Sequence, residues 1–151
     1  MMFLRPADAK AAHATAAPSG HRGVAAVGAL VAAVGIVVLA AWLTGDVRVA
    51  ALVRGWRVMV PGTAFSFLCI GAGIAAAALG GVPGRRLAVV AALAAILCPG
   101  LSVAEYASGA RWGIESWLVV PFPIDSAVAG RMSPLSALSI CLLAVALAGL
   151  A

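Results

Sequence analysis

Charged side chains are scarce in this sequence. They make up 10% of its 151 residues, whereas about a quarter of the residues in a soluble domain are charged. So few charges cannot cover a surface that faces water. The shortage excludes a water-exposed globule. Together with a hydrophobic content of 64% and a mean hydropathy of +1.13, it indicates an integral membrane protein.

Cysteine and histidine, the usual protein ligands of metal ions, are also rare. Cys69, Cys98 and Cys141 each fall in a separate apolar run, and no two of them have the spacing of a metal site. Their odd number does not describe a disulfide framework, so we interpret them as small packing residues. His13 and His21 have neither cysteine nor acidic partners nearby in the sequence. We therefore predict no metal, no cofactor and no catalytic residue.

Phosphate-binding and nucleic-acid-binding patterns are missing too. The glycine-rich stretches follow no strand and lack the lysine and hydroxyl residue of a phosphate-binding loop. The net charge is +5, but the basic residues are dispersed around apolar runs instead of forming a recognition patch. Anionic lipid headgroups are the better match for Arg85 and Arg86. The predicted partner is thus the lipid bilayer and not a nucleic acid, and the chain is predicted not to be an enzyme.

Four apolar runs are long enough to be membrane helices. Val24 to Leu43 is uninterrupted over 20 residues, and a helix of that length covers about 30 Å, the hydrocarbon thickness of a bilayer. A cleaved signal peptide has a shorter apolar core, so we interpret this run as a retained anchor. The predicted fold is all-α, an integral membrane bundle of four transmembrane helices at residues 24–43, 63–79, 87–107 and 134–151.

The remaining stretches are polar or amphiphilic. Residues 1–23 are predicted to be a disordered polar tail, and residues 80–86 a tight basic turn. Residues 44–60 and 108–131 are predicted to lie at the membrane interface, because tryptophans and mixed charges there suit the headgroup layer.

Two features inside the predicted helices concern packing. Pro99-Gly100 should kink the third helix unless a neighbouring helix supplies a donor for the carbonyl that proline leaves free. Gly28, Ala32 and Gly35 lie at helical spacing, and such a stripe of small residues allows close approach of another helix, in a dimer for example.

Orientation follows from the even number of predicted spans, which places both termini on one side. The basic tail and the turn at Arg85-Arg86 favour the cytoplasm for that side. The Lys and Arg count is balanced, with five on each side, so the distribution of acids tips the assignment. Four of the five acids fall in or beside the opposite segments: Asp46, Glu105, Glu115 and Asp125. We predict a multi-pass protein of the bacterial cytoplasmic membrane.

A short internal repeat links the second and fourth runs. Residues 59–67 align without gaps to residues 132–140, at an offset of 73 residues. Each copy has the pattern Met-x-Pro-x-hydroxyl-Ala, which predicts a helix start: proline fixes φ and the hydroxyl can cap free amides. The pattern residues are Met59, Pro61 and Thr63 in the first copy, and Met132, Pro134 and Ser136 in the second. The bundle is thus predicted to consist of two tandem two-helix repeats, with chance matching in an alanine-rich chain as the alternative.

At these residues the sequence resembles the N-terminal multi-helix membrane sensory region found ahead of PAS, histidine-kinase or diguanylate-cyclase modules in bacterial signalling proteins. In that family each half ends in a turn such as Met-x-Pro-Asn-Thr-Ala, and Glu-Tyr and Gly-x-x-x-Gly-Ile-Asp lie between the halves. The chain has Glu105-Tyr106 and residues 109–115 in that order. It departs from the family at Gly62, Leu135 and Glu115. The resemblance covers residues 24–151 and implies a sensory or anchoring membrane module.

Glu105 is the ionisable residue of greatest interest, because a carboxylate at membrane depth is costly unless it is paired or hydrated. One interpretation is that it has reached the interface beside Tyr106. The other is a sensory polar cluster at the extracytoplasmic mouth of the bundle, formed by Glu105, Arg111, Glu115, Arg131, Trp112 and Trp117.

Three functions remain open at this point. The first is a sensory or anchoring module without catalytic output of its own, with self-association or a signalling partner as its contacts. The second is a small structural or accessory membrane protein that scaffolds a complex. The third is a transporter or channel, although such proteins usually place ionisable or broken-helix sites near the bilayer centre.

Overall fold

The described part of the chain is all-helical. A computed structural model describes residues 18–44, 49, 58–110, 112 and 132–151. The four helices within those ranges are α1 (Pro18–Thr44), α2 (Pro61–Leu79), α3 (Gly81–Ser108) and α4 (Pro134–Leu150). Most of the two predicted interfacial segments, residues 44–60 and 108–131, lies outside the described residues, as do residues 1–17 of the predicted tail.

Three helices are long and apolar enough to cross a membrane: α1 from Gly20 to Thr44, α2 and α3. The chain is therefore a membrane protein by the length and composition of its helices. The fourth helix is equally apolar but has 17 residues, which corresponds to about 26 Å at the rise of an α-helix.

Two predicted boundaries shift. Helix α1 begins at Pro18, six residues before the predicted start at Val24, so residues 18–23 are helical rather than part of a tail. The predicted turn at residues 80–86 is also wrong: only Gly80 lies between α2 and α3, and residues 82–86 already belong to α3. Gly80 and Gly81 have φ of 72° and 74°, a region open to glycine, so two residues complete the reversal. Pro83 does not interrupt the helix, since amides in a first turn need no partner within it.

Helices α1 and α2 pack antiparallel at the closest distance that backbones allow. A Cβ atom built on Gly28 would lie 2.7 Å from the Ala75 nitrogen, and one on Gly35 would lie 2.6 Å from the Ala64 oxygen. On α2, a Cβ on Gly71 would overlap Ala32. The small-residue stripe of α1 therefore packs against α2 of the same chain. Gly28 and Gly35 are buried there and Ala32 is partly buried, so the stripe is not available as a dimer face.

Helices α3 and α4 pack on the other side of α2. Gly84 at the start of α3 meets the Ala76 carbonyl, and a Cβ on Gly73 would lie 2.7 Å from Leu147 of α4. A cluster of buried side chains joins the three helices: Ile70, Ala95, Met132, Ala137, Ile140 and Ala144. Helix α2 thus lies at the centre, antiparallel to α1 and α3 and parallel to α4.

Small apolar side chains fill the interior of the bundle and large apolar side chains lie on its outside, the reverse of a water-soluble protein. Most of the buried apolar side chains in the described ranges are alanines, and Ala64, Ala88, Ala92, Ala95, Ala137 and Ala144 are fully buried. Large apolar side chains point outward instead, among them Leu30 (67% exposed), Leu93 (63%) and Leu142 (71%). A monomer in water does not expose leucines and valines along its whole length. Lipid tails make this arrangement favourable, since apolar groups gain nothing by leaving them for the bundle interior.

Candidate functional site

A buried polar stripe crosses the α2–α3 interface. Among the described residues, the buried polar or charged side chains are Ser66, Ser102 and Glu105. The latter two lie three residues apart on α3, below the buried Cys98 and Pro99. Polar groups at such depth must find partners within the protein, because lipid offers none.

Ser66 supplies the donor that Pro99 removes. A proline at position 99 has no N–H, so the carbonyl of Ala95, four residues earlier, loses its helical hydrogen bond. The Ser66 hydroxyl of α2 lies 3.1 Å from that carbonyl oxygen, and 2.9 Å from the oxygen of Gly62 in its own helix. Helix α3 continues through Pro99 to Ser108. The sequence predicted a kink unless a neighbouring helix supplied a donor, and the structure shows such a donor, Ser66 of α2.

Glu105 lies three residues before the end of α3 and is 7% exposed. Its Oε1 accepts a hydrogen bond of 2.8 Å from the backbone N–H of Trp112. The carboxylate therefore ties the chain that leaves α3 back onto the helix, and it also stays inside the bundle. The Trp112 side chain is half exposed. The other predicted members of the sensory cluster, Arg111, Glu115, Arg131 and Trp117, lie outside the described residues.

Two corners of the bundle carry matching hydrogen bonds. At the end of α1 the Trp42 indole N–H donates to the Met59 carbonyl at 2.8 Å. At the end of α3 the Tyr106 hydroxyl donates to the Met132 carbonyl at 3.0 Å. Each aromatic residue lies two positions before the last residue of its helix, and each methionine lies two positions before the proline of the next helix. In both corners, an aromatic side chain thus fixes the chain that enters the following helix.

The helix starts after these corners are also alike. Pro61 and Pro134 are the first helical residues, and the positions before them, Val60 and Ser133, are extended with φ of −70° and −67°. The first helical hydrogen bonds correspond too: Ala64 N–H to the Val60 carbonyl at 3.1 Å, and Ala137 N–H to the Ser133 carbonyl at 2.9 Å.

Side-chain capping differs between the two starts and from the prediction. Ser133 caps α4 by accepting the Ser136 N–H at 3.1 Å. The capping role predicted for the hydroxyl of Ser136 is therefore wrong, because the residue before the proline is nearer to the free amides. In α2 that position is Val60, which has no side-chain oxygen, and no side chain caps this helix. Thr63 instead lies in an open cleft of about 330 Å³ between α2 and α4, lined by Thr63, Phe67, Leu135, Ser136, Ser139 and Ile140.

Comparison with known proteins gives no match. No protein-family model, curated protein or solved structure is similar to the chain.

The cysteines lie on three different helices, Cys69 on α2, Cys98 on α3 and Cys141 on α4, and all three are free thiols. In the part of the chain that the structure describes, no group of three or more His, Cys, Asp or Glu side chains could hold a metal ion. His21 is exposed on α1, and His13 lies outside that part.

Sequence reasoning missed the roles of Ser66, Trp42 and Tyr106. Ser66 acts on a carbonyl 29 residues away, and no local pattern shows which helix will face Pro99. The corners did leave a signal, because an aromatic residue followed two positions later by a hydroxyl residue ends both α1 and α3. The Thr44 hydroxyl donates to the Ala40 carbonyl at 3.0 Å, and the Ser108 hydroxyl to the Ala104 carbonyl at 2.7 Å.

Proposed function

We propose that the chain is a membrane-embedded sensory or anchoring module of a bacterial signalling protein, with four transmembrane helices in two tandem two-helix repeats. It has no catalytic output of its own, and both termini face the cytoplasm. The observation that carries this proposal is the pair of matching corners.

The corners support the proposal because they fall on the motif that carries the family resemblance. The hydrogen bonds of Trp42 and Tyr106 end on Met59 and Met132, the first residues of the two Met-x-Pro turns. A chance match of small residues would not require equivalent tertiary contacts at equivalent positions. In a sensory module these corners hold each helix pair as a unit, so that a stimulus shifts one pair against the other.

Topology tests the architecture. Four spans place both termini on the same side of the membrane, whereas three spans with α4 lying at the interface would place them on opposite sides. We expect green fluorescent protein, which reports a cytoplasmic location, to fluoresce when fused to either terminus of the full chain. Alkaline phosphatase, which reports the opposite side, should be inactive at both. A C-terminal fusion with active phosphatase would contradict the four-span topology, and fusion at residue 110 serves as the positive control for the far side.

The sensory role is tested at Glu105, because its carboxylate joins α3 to the segment that follows. Replacing it by glutamine keeps the shape but exchanges a charge-assisted hydrogen bond for a neutral one, and we expect a loss of about 1 kcal/mol in the free energy of unfolding. In a fusion of the chain to a histidine-kinase or cyclase module, Glu105→Gln and Arg131→Ala should also change the output of that module. Ala107→Ser, a change at an exposed position of the same helix end, is the control.

The outcome separates the candidate functions. Unchanged stability and unchanged output in both variants would rule out the polar cluster as a sensory site. A stoichiometric partner that co-purifies with the chain, with output insensitive to both variants, would favour the structural or accessory role instead.

A further inference from the structure

The fold brings basic residues that are distant in sequence to one end of the bundle. Arg22 lies near the start of α1, and Arg85 and Arg86 lie in the second turn of α3. Because α1 and α3 are both antiparallel to α2, their first turns lie at the same end. All three arginines are exposed, as is His21. Glu105 is the acidic residue in the described ranges, and it lies near the other end of α3, away from these arginines.

The three arginines lie at two depths. Gly28 of α1 packs against Ala75, and Gly84 of α3 packs against Ala76, so these four residues are level with one another. Arg22 comes six residues before Gly28, about 9 Å further out at the rise of an α-helix. Arg85 and Arg86 follow Gly84 and lie about 1.5 to 3 Å further in than that level.

Counted from Arg22 to Arg85 and Arg86, the separation is about 10 to 12 Å, which is more than the roughly 5 to 8 Å of one headgroup layer of a bilayer, and long arginine side chains can span the difference. Exposed apolar side chains follow the bases on each helix, Val24 after Arg22 and Leu87 after Arg86, and Val82 is also exposed three residues before Arg85. With Arg85 and Arg86 at the inner edge of the layer, the depth difference places Arg22 at its outer edge. Arg85 and Arg86 lie at its inner edge, where long side chains extend outward to reach the phosphates.

We propose that Arg22, Arg85 and Arg86 form a basic rim that binds anionic phospholipid headgroups. The phosphodiester and its net negative charge match exposed guanidinium groups that have no acid beside them in the described ranges. Arg22 on α1 and Arg85 and Arg86 on α3 lie on either side of α2 at this end of the bundle. The rim therefore selects anionic lipids around that end and anchors it in the anionic leaflet. The inference rests on the membrane insertion contained in the proposed function, and not on the sensory role.

The test measures lipid selectivity on the full chain in phosphatidylcholine vesicles that contain a minor fraction of phosphatidylglycerol. Spin-labelled versions of the two lipids report the ratio of their association constants at the protein surface. We expect a preference for phosphatidylglycerol of about fivefold per arginine at low salt, falling steeply in high salt. The triple variant Arg22→Gln, Arg85→Gln, Arg86→Gln should reduce the ratio to near one, and Arg22→Gln alone or the Arg85, Arg86 pair should give partial losses.

The matched control also removes three positive charges, but from arginines that are not part of the rim: Arg48→Gln, Arg54→Gln and Arg57→Gln. This variant should retain the preference for phosphatidylglycerol. Equal ratios for the wild type and the rim variant, or equal losses in the rim and control variants, would overturn the proposal. Displacement of phosphatidylglycerol by inorganic phosphate at matched ionic strength would overturn the assignment to lipid. Circular dichroism of each vesicle sample distinguishes these results from failure to insert, which would count against the proposed function itself.

Discussion

Replacing Gly71 with leucine is expected to separate α1 from α2 and to lower the free energy of unfolding by about 3 kcal/mol or more, the upper range for overpacked interiors. A Cβ at this position would lie 2.5 Å from the Gly28 oxygen and would overlap Ala32. Both obstacles are backbone atoms, which cannot rotate away. The two helices must therefore move apart and lose contact along their whole interface.

The effect should scale with side-chain size, since Gly71→Ala already introduces the overlapping Cβ. Unfolding in detergent micelles, followed by circular dichroism as denaturing detergent is added, measures the loss. Gly23→Leu is the matched control, because nothing lies within 4 Å of a Cβ built there, and its stability should be unchanged. If Gly71→Leu were as stable as Gly23→Leu, the close α1–α2 contact would not exist in the protein.

Removing the Ser66 hydroxyl is expected to cost about 2 kcal/mol, because Ser66→Ala leaves the Ala95 carbonyl buried without a donor. Hydrogen bonds between membrane helices average about 0.6 kcal/mol when both partners find alternatives. Here Pro99 has removed the alternative, so we expect a value near the upper limit. The amides that follow Pro99 should also exchange faster with solvent deuterium, since α3 then opens at the proline.

A double-mutant cycle isolates this coupling. Pro99→Ala restores an N–H to position 99, and the Ala95 carbonyl regains its partner within the helix. In that background Ser66→Ala should cost less than about 1 kcal/mol, which corresponds to the bond to Gly62 alone. The difference between the two costs is the coupling energy. An identical cost of Ser66→Ala with proline or alanine at position 99 would show that the serine does not compensate for the proline.

The positions of three membrane-crossing helices could be read from the sequence because lipid imposes a simple rule. An apolar run such as Val24 to Leu43 has one stable conformation in a bilayer, a helix that satisfies its own backbone. The start of α2 and of α4 was equally readable, since proline is suited to a first turn. The tight reversal at Gly80 was not, because a basic Gly-Pro-rich stretch is compatible both with a loop and with an early helix start.

The candidate site could be predicted only in part. Pro99 indicated that a donor was needed, because that follows from the chemistry of proline alone. For Glu105 the sequence left open a position at the interface beside Tyr106 and a polar cluster, and only the fold shows that its carboxylate is buried and bonded to the Trp112 N–H. Which donor and which partner were selected depends on how helices are rotated against one another. An alanine-rich helix offers several nearly equivalent faces, so its apolar pattern does not specify that rotation.

Composition and the lengths of the apolar runs are enough by themselves to show that this is a membrane protein, because a surface with so few charges is stable in lipid and not in water. Three features depend on the tertiary structure alone. The Gly28–Gly35 face of α1 is covered by α2, the Ser66 hydroxyl donates to the carbonyl that Pro99 leaves free, and Arg22 lies at the same end of the bundle as Arg85 and Arg86. The physical reason is that in lipid the choice between helix faces depends on backbone approach and on single hydrogen bonds. Backbone approach and interhelical hydrogen bonds depend on both helices of a pair, so the sequence of one helix does not specify them.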